Sequence, residues 1–502
     1  MHSTLCQFRA EYSTLDSRLL YARLATMALS ILSLVYLLCA LLLILHALGT
    51  AVLLLVYWRT RHQSLAPPPV SVWPRVAVQL PVYNERHVIE RLLAAVAALD
   101  YPRQCLKVQV LDDSIDETSA IIRRMLPSLR AQGLDIQHLQ RSQRRGYKAG
   151  ALAEGLAQLD CDLVAVLDAD FVPPPDFLRR TVPHLVADER IGMVQTRWGH
   201  LNWPDNALTR GQALALDGHF IVEQTARNRA GWFINFSGSG GVWRRSCILE
   251  AGGWSALTLT EDLDLSYRAQ LAGWRFLYLP DVVVPAEVPP QMAAWKQQQA
   301  RWARGSTRTL IGLLLPLWRA PLPPAQRIMA TLHLCQYLPH PLMLLMLLLT
   351  PLLLPGGQLH TLLPGPLGLA ALAPLLLYVL SQYALYPDWR RRLRAFPLLL
   401  LLGTGMTFNA TLAVLAGLGA GAAEFRRTPK FAQSWAVSRY ALRIDRTLAG
   451  ELLLAAYALA ATLIALAHYP ALVPWLALYF LAFTLVAGLS LRDQLLLARL
   501  RP

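Results

Sequence analysis

Hydrophobic and polar positions divide the chain into three regimes. From Met27 to Trp58 nearly every residue is apolar, a run roughly 48 Å long as a helix at about 1.5 Å per residue. A bilayer core is about 30 Å thick, so such a helix must tilt or extend past the membrane surface. Residues 1–26 are mixed polar without an assignable period. The apolar run that follows them is far longer than the core of a secretion signal, so a retained span is expected.

A proline-rich stretch, Ala66–Pro74 (APPPVSVWP), cannot continue a helix and marks a boundary. Beyond it, short apolar runs end in polar loops: RVAVQLPVYNE, KVQVLDDS, DLVAVLDAD and IGMVQTRW. Helical stretches such as Arg86–Leu99 and Lys148–Gln158 lie between them. This alternation predicts an α/β domain with a mainly parallel sheet and helices on both faces, whose ligands sit beyond the carboxyl ends of the strands. The acids of the domain cluster at those ends.

The third regime is apolar again, in segments near Ile328–Leu354, Leu367–Tyr386, Phe396–Gly421, Leu448–His468 and Ala471–Leu491. Each is long enough to span. The stretch Phe396–Gly421 has Arg390, Arg391, Arg392 and Arg394 before it and Arg426, Arg427 and Lys430 after it, and it contains Gly403, Gly405 and Asn409. Both ends therefore belong on the cytoplasmic side, which predicts a re-entrant or interfacial segment. The count is then five spans, with Arg59, Arg61 and Arg75, and later Arg492, Arg499 and Arg501, in the cytosol. Six spans would put the basic FRRTPK loop outside, against the charge rule. The division is 1–65 for the tail and first span, 66–315 for a cytosolic α/β domain, and 316–502 for the helical region with a basic loop at 425–430.

Composition fits that division: 502 residues, 55% hydrophobic and a net charge of +15. The basic residues crowd beside apolar segments, and no nucleic-acid module is present, so the charge reads as membrane topology. Cys6, Cys39, Cys105, Cys161, Cys247 and Cys335 are scattered without CxxC spacing, which argues against a disulfide framework or a zinc site.

Several motifs carry chemistry. Asp168-Ala169-Asp170 closes an apolar strand and puts one or both carboxylates at the ligand edge, where Mg2+ or Mn2+ takes one or two carboxylates and completes its shell with diphosphate oxygens and water. Asp112-Asp113-Ser114 ends the neighbouring strand, one acid suited to a nucleoside and the other to a metal. The loop Pro81–Glu85, with Tyr83 and Glu85, can lay its backbone along a base, while Asn84 can instead cap the helix that follows. Lys148 is a diphosphate or base contact. Thr260-Glu261-Asp262 reads as a helix start with Thr260 as cap, which would keep a carboxylate ionised as a general base requires. Asp262 and Asp264 lie about 200° apart on a helix, so only one of them can be that base. Gln298, Arg301 and Trp302, spaced i, i+3 and i+4, share one helix face that suits the end of a sugar chain beside a phosphate. Phe425–Lys430 reads as a topogenic loop or as a mobile lid that brings Lys430 and Arg427 to phosphates while Thr428 meets the nucleotide.

The succession PVYNE, VLDDS, YKAG, DAD, NFSGSGG, TED, QQARW and FRRTPK resembles the membrane-embedded processive family 2 glycosyltransferases. LPVYNE, QVLDDS, DADF, TVPHL, VQTRW and NFSGSGGVWRR are most similar to the cellulose synthase-like A and C group, which builds β-linked mannan, glucomannan or glucan backbones. The resemblance implies a GT-A-type (Rossmann-like) catalytic domain over roughly residues 75–302 and an α-helical transmembrane bundle. It assigns Asp113 or Asp112 to the nucleotide, Asp168 and Asp170 to the metal and diphosphate, and Asp262 to the base. Arg301 becomes a diphosphate contact and Gln298 with Trp302 the acceptor clamp. Phe425–Lys430 matches that group's gating loop, FxVTxK, with Arg427 in place of Val.

The activity so implied is inverting, processive transfer of glucose or mannose from a UDP- or GDP-hexose to a growing β-glycan that leaves through the helices. The setting is the plasma (inner) membrane, with the catalytic domain cytoplasmic. Transfer of a single sugar to a lipid acceptor is the alternative, and a transporter or scaffold that merely binds nucleotide is a third reading.

Overall fold

The computed structural model describes residues 2–500 apart from 64, 355–368, 370, 420–424, 426, 433–434 and 443–444. Of the basic residues above, Arg426 and Arg501 thus lie outside the described residues.

Among the described residues seven strands form one sheet: β1 (Val76–Val82), β2 (Leu106–Asp112), β3 (Asp135–Gln140), β4 (Leu163–Val166), β5 (Ile191–His200), β6 (Gly241–Arg244) and β7 (Arg275–Ala286), in the order β3-β2-β1-β4-β6-β5-β7. All neighbours are parallel except β6, which runs antiparallel between β4 and β5. The near-continuous apolar runs of β1 and β4 follow from burial on both faces. Val76, Val78 and Leu80 point into one core with Ile89, Leu92 and Leu93, whereas Ala77, Val164 and Val166 point into the other with Leu152 and Trp243. The pairing register does the functional work. Val82 pairs with Asp112 and Gln79 with Val166, so the loops after β1, β2 and β4 leave the sheet side by side.

Some elements differ from expectation. The first helix is one element, His2–Thr60, so the mixed polar residues before Met27 extend it. The helix expected over Arg86–Leu99 is confined to Ile89–Ala97, and the one expected over Lys148–Gln158 runs Tyr147–Ala157. The helix Met292–Arg319 carries Gln298, Arg301 and Trp302 and continues unbroken past residue 315.

Among the described residues three helices are long and apolar enough to cross a membrane, Thr26–Thr60, Leu448–His468 and Pro470–Arg499, or up to five if each of two bent pairs is one span. One pair, Pro324–Leu334 with Pro339–Leu353, bends by 65°; the other, Trp389–Gly405 with Thr407–Leu418, bends by 41°. The second break falls inside the stretch expected to be re-entrant. Part of the stretch Leu367–Tyr386 lies outside the described residues, and its described helix is Ala373–Leu385.

The helix Met292–Arg319 is bolted to the C-terminal helices by buried charge. Lys296 Nζ lies 2.6 Å from Asp445, 2.5 Å from Glu451 and 3.0 Å from Ser490 Oγ. Asp493 accepts the Met292 N–H at 2.9 Å, one of the four amides a helix start leaves unpaired. Removing the cation would strand two acids away from water. Lys296→Met is expected to destabilise the protein by about 3–5 kcal/mol, read as a lowered unfolding temperature of detergent-solubilised protein. Adding Asp445→Asn should recover part of the loss.

Candidate active site

The loops after β1, β2 and β4, the turn before β6, the start of helix Glu261–Leu271, the face of helix Met292–Arg319 and the basic loop surround one cavity of about 450 Å3. Glu85, Asp113, Asp168, Asp170, Glu261 and Asp262 all line it. So do Tyr83, Lys148, Thr260, Gln298, Arg301, Trp302, Thr428 and Lys430. The same cavity reaches Gln336, Tyr337, Leu377 and Tyr378 on the apolar helices.

Asp112 is the exception, and its assignment to a nucleotide is corrected. Its side chain is buried at the sheet edge, where it accepts bonds from Ser119 Oγ, from the Ser114 N–H at 2.9 Å and, at 2.8 Å, from His138 Nε2. Burial alone would raise its pKa, but these bonds hold the carboxyl below its ordinary value. Asp112 fixes the turn, and Asp113 is the acid that faces the cavity. The Arg141 guanidinium forks onto Asp113, with Nε 2.8 Å from Oδ1 and Nη2 on Oδ2. Arg144 lies 3.5 Å from the centre of the Tyr83 ring.

Asn84 does not cap the following helix either. It adopts a left-handed backbone with φ 57°, and its Oδ1 accepts the Ile115 N–H at 2.9 Å, which ties the β1 loop to the β2 loop.

Two lysines sit on the Asp-Ala-Asp motif. Lys148 Nζ is 2.7 Å from Asp168 Oδ1 and 2.7 Å from the Gly238 carbonyl, with Glu261 at 3.8 Å. Lys430 Nζ is 2.7 Å from Asp170 Oδ2, and that same oxygen accepts the Glu287 N–H at 3.0 Å. Burial opposes charge on both lysines, yet the surrounding carboxylates keep each ammonium above its ordinary pKa. Among the described residues no three His, Cys, Asp or Glu side chains form a closed metal cage. A pair of strand-end carboxylates already accepting cations does fit a hard divalent ion that takes its remaining oxygens from a ligand and water. Glu85 Oε2, Thr428 Oγ1, Ser237 Oγ and Arg301 Nε are buried without a hydrogen-bond partner. Unpaired buried polar atoms in one cleft mark it for a polar ligand.

At the helix start, Thr260 stands in the cap position, but its hydroxyl makes no cap bond and instead meets Thr309 Oγ1 at 3.4 Å. Asp262 Oδ1 accepts the Leu263 N–H at 2.9 Å. The expectation of a carboxylate held ionised is also corrected. Burial, and then the charge of Glu261, push the Asp262 carboxyl up to about 7, against the pull of Lys148 and Arg301. The helix Met292–Arg319 approaches this point so closely that a Cβ on Gly305 would lie 2.5 Å from Thr260 Cγ2 and 2.9 Å from its backbone nitrogen. This close approach joins the two ends of the 260–302 stretch.

Sequence reasoning gave no role to Glu287, which follows β7 and pairs with Arg91 at 2.7 Å while accepting the Phe431 and Ala432 N–H groups at 3.2 Å. An acid just past a strand, in PAEVPP, was the available signal. Trp198, His219 and Glu223 also line the cavity, and His219 Nδ1 lies 2.9 Å from Glu223 on a π-helical segment, Gly218–Gln224.

The mixed α/β sheet, with acids from separate strand ends on one cleft, is of the GT-A type. Residues 74–305 match the family model described as "Glycosyltransferase like family 2", and this part of the chain is a family 2 glycosyltransferase domain. Glucomannan 4-beta-mannosyltransferase 1 of Oryza sativa subsp. japonica is 43% identical over 253 residues, covering 50% of this chain and 49% of that protein. Glucomannan 4-beta-mannosyltransferase 2 of Arabidopsis thaliana is 39% identical over 280 residues, covering 53% and 52%. The chain spans about half the length of the curated relatives it matches. A mannosyltransferase from Pyrobaculum calidifontis, solved in complex with GDP-Man and Mn2+, superposes with a TM-score of 0.53 at 23% identity, covering 77% of this chain and 99% of that one. That likeness establishes the shared fold.

Gly238 offers a local test. A Cβ there would lie 2.9 Å from Asp262 Oδ2 and 3.6 Å from Lys148 Nζ, and its φ of +82° adds strain for any other residue. Gly238→Ala is expected to shift the unfolding temperature by only a few degrees while cutting sugar-transfer turnover at least about tenfold, a barrier change of about 1.4 kcal/mol.

Proposed function

We propose that the protein transfers a hexose from a nucleotide-diphosphate sugar to the end of a β-glycan, inverting the anomeric centre and retaining the product for further rounds. The observation that carries this reading is the single cleft. It is shared by the acids of three strand ends, the half-buried Asp262 with its pKa near 7, and an Arg-Trp helix face, and it extends to residues of the apolar helices. The relatives' 39% and 43% identity over the catalytic part makes mannose the first sugar to test, in a 4-beta linkage as their names state.

The acceptor hydroxyl oxygen attacks the anomeric carbon, the bond from that carbon to the diphosphate oxygen breaks, and the hydroxyl proton passes to an Asp262 oxygen. A base whose pKa lies near working pH is suited to this task. Trp302 offers the ring on which the glycan end stacks, and Gln298 fixes its hydroxyls. Tyr83, Glu85 and Asp113 receive the nucleoside. Lys148, Arg301, Thr428 and Lys430 surround the diphosphate, where removing one such stabiliser costs about 3 kcal/mol. A divalent cation, Mg2+ or Mn2+, held by Asp168 and Asp170 would add neutralisation of the leaving diphosphate. The membrane reading is an integral protein of the plasma (inner) membrane with this cleft on the cytoplasmic side, so that the glycan leaves between the helices.

The experiment is incubation of the purified full chain with a panel of UDP- and GDP-hexoses and Mg2+ or Mn2+. Ethanol-insoluble β-glycan is the expected product. Label confined to extractable lipid would instead select the lipid-acceptor alternative, and no transfer from any donor would remove the enzyme reading.

Asp262 makes two further measurements decisive. Transfer should rise with pH through about 7 as the carboxyl loses its proton, because only the ionised form can accept one. Asp262→Asn should bind nucleotide donor with near wild-type affinity yet form no polymer. Polymer made by that variant, or a rate flat between pH 6 and 8, would take the base role from Asp262.

A further inference from the structure

Arg427 stands where the gating-loop pattern it resembles has Val, and it is the residue by which the loop is tied down. Its guanidinium pairs with Glu85 Oε1 at 3.0 Å, donates to the Tyr83 carbonyl at 2.9 Å and to the Asn84 carbonyl, and lies 4.5 Å from the centre of the Tyr440 ring. Its own carbonyl accepts Gln297 Nε2 at 2.7 Å. The loop after β1 thus grips the side chain, and the helix that carries Arg301 grips the backbone. The Arg427 and Glu85 side chains each keep only 12% of their exposure. A guanidinium shielded from water among these acceptors resists separation far more than a surface one, because parting them leaves the buried arginine charge uncompensated.

Lys430 is held differently. Its partner, Asp170, is a carboxylate that the transfer chemistry needs for a cation, and its other contact is a single carbonyl, that of Glu287 at 3.2 Å. The two cations of one short loop therefore have unequal duties. One bonds to the loop after β1, largely through backbone carbonyls, and the other occupies a carboxylate that the transfer reading needs for a cation.

We propose that Arg427 is a positioning residue, the fixed pivot of the loop: its pair with Glu85 keeps residues 427–430 seated over the donor site while Lys430 exchanges Asp170 for a donor phosphate. The identity of that incoming anion rests on the transfer reading; the pivot does not. A Val at this position supplies only apolar contact, so closure would depend on the donor. With Arg the loop is docked beforehand, and donor binding no longer bears the cost of ordering it.

The test needs no catalysis for its first arm. Hydrogen–deuterium exchange is followed in a peptide covering Phe431 and Ala432, whose N–H groups end on Glu287, using donor-free full-length protein in detergent. Arg427→Val is expected to speed exchange there at least about tenfold, Glu85→Ala to do the same, and the double variant to add little to either. Arg427→Lys should recover part of the protection, which separates a lost pair from a misfolded loop. Unchanged exchange in Arg427→Val, or effects of the two single variants that simply multiply, would overturn the pivot.

The second arm is kinetic. In Arg427→Val the donor KM should rise about tenfold or more while kcat at saturating donor stays within about threefold, since Lys430 still reaches the phosphate once donor closes the loop. A collapse of kcat at constant KM would mean that Arg427 acts on the chemical step, and the proposal would fall. A wild-type protein that transfers no sugar would defeat the transfer reading, and the exchange comparison would still decide the pivot.

Discussion

Carboxylates brought into one cleft repel one another, and the cations seated between them govern whether the cleft can hold together. Glu85, Asp168, Asp170, Glu261 and Asp262 face a common cavity, and each is offset by a nearby lysine or arginine. Lys148 reaches Asp168, the Gly238 carbonyl and the edge of Glu261, so one ammonium links the strand-end motif to the helix start. Where the compensation is incomplete, the pKa moves. Burial and the charge of Glu261 bring Asp262 to about 7, and burial brings Glu85 to about 8 despite Arg427. The site is thus poised: a bound diphosphate would bring negative charge to the same lysines and arginines, and a divalent cation positive charge to the same acids.

Much of this was legible in the sequence because it follows from periodicity. Apolar runs ending in DDS, DAD and PVYNE give parallel strands, and parallel strands in register bring their carboxyl ends together without knowledge of any contact. The i, i+3, i+4 spacing of Gln298, Arg301 and Trp302 needed only a helix, and the helix is there. What was hidden depended on burial and on distant partners. Adjacent aspartates 112 and 113 must point to opposite sides of the strand end, but sequence gives no means of telling which side holds His138 and Ser119. Asp262 looked ionised from its place in a helix start, yet the helix dipole is a small effect beside desolvation in a closed cleft. The antiparallel β6 carries only four residues, Gly241–Arg244, too few for a period to show.

Glu287 and Arg427 mark a further limit. Each acts across a large separation in sequence, Arg427 on residues 83 to 85 and Glu287 on residues 91, 431 and 432. A lone basic residue in a basic loop is the ordinary product of membrane topology, so its side chain carries no local signal of a partner. Only the fold, by laying residues 427–432 against the loop after β1 and the end of β7, turns charge that marks topology into charge that closes a cleft.

The helix Met292–Arg319 explains why catalytic domain and membrane region cannot be separated cleanly. Its first turn is capped by Asp493 and pinned through Lys296 to Asp445 and Glu451, all from the C-terminal part of the chain. Its middle carries Gln298, Arg301 and Trp302 into the cleft, and Gly305 lets it close against Thr260 with no room for a side chain. A helix held at its first turn and packed at its middle against Thr260 transmits position: a shift of the C-terminal helices would move Trp302 relative to Asp262. Orientation errors of about 1 Å cost as much as 100-fold in rate when a hydroxyl must be aimed at a reacting carbon. The C-terminal helices therefore do more than anchor the catalytic domain. They fix the distance between the residue proposed to hold the acceptor and the one proposed to deprotonate it.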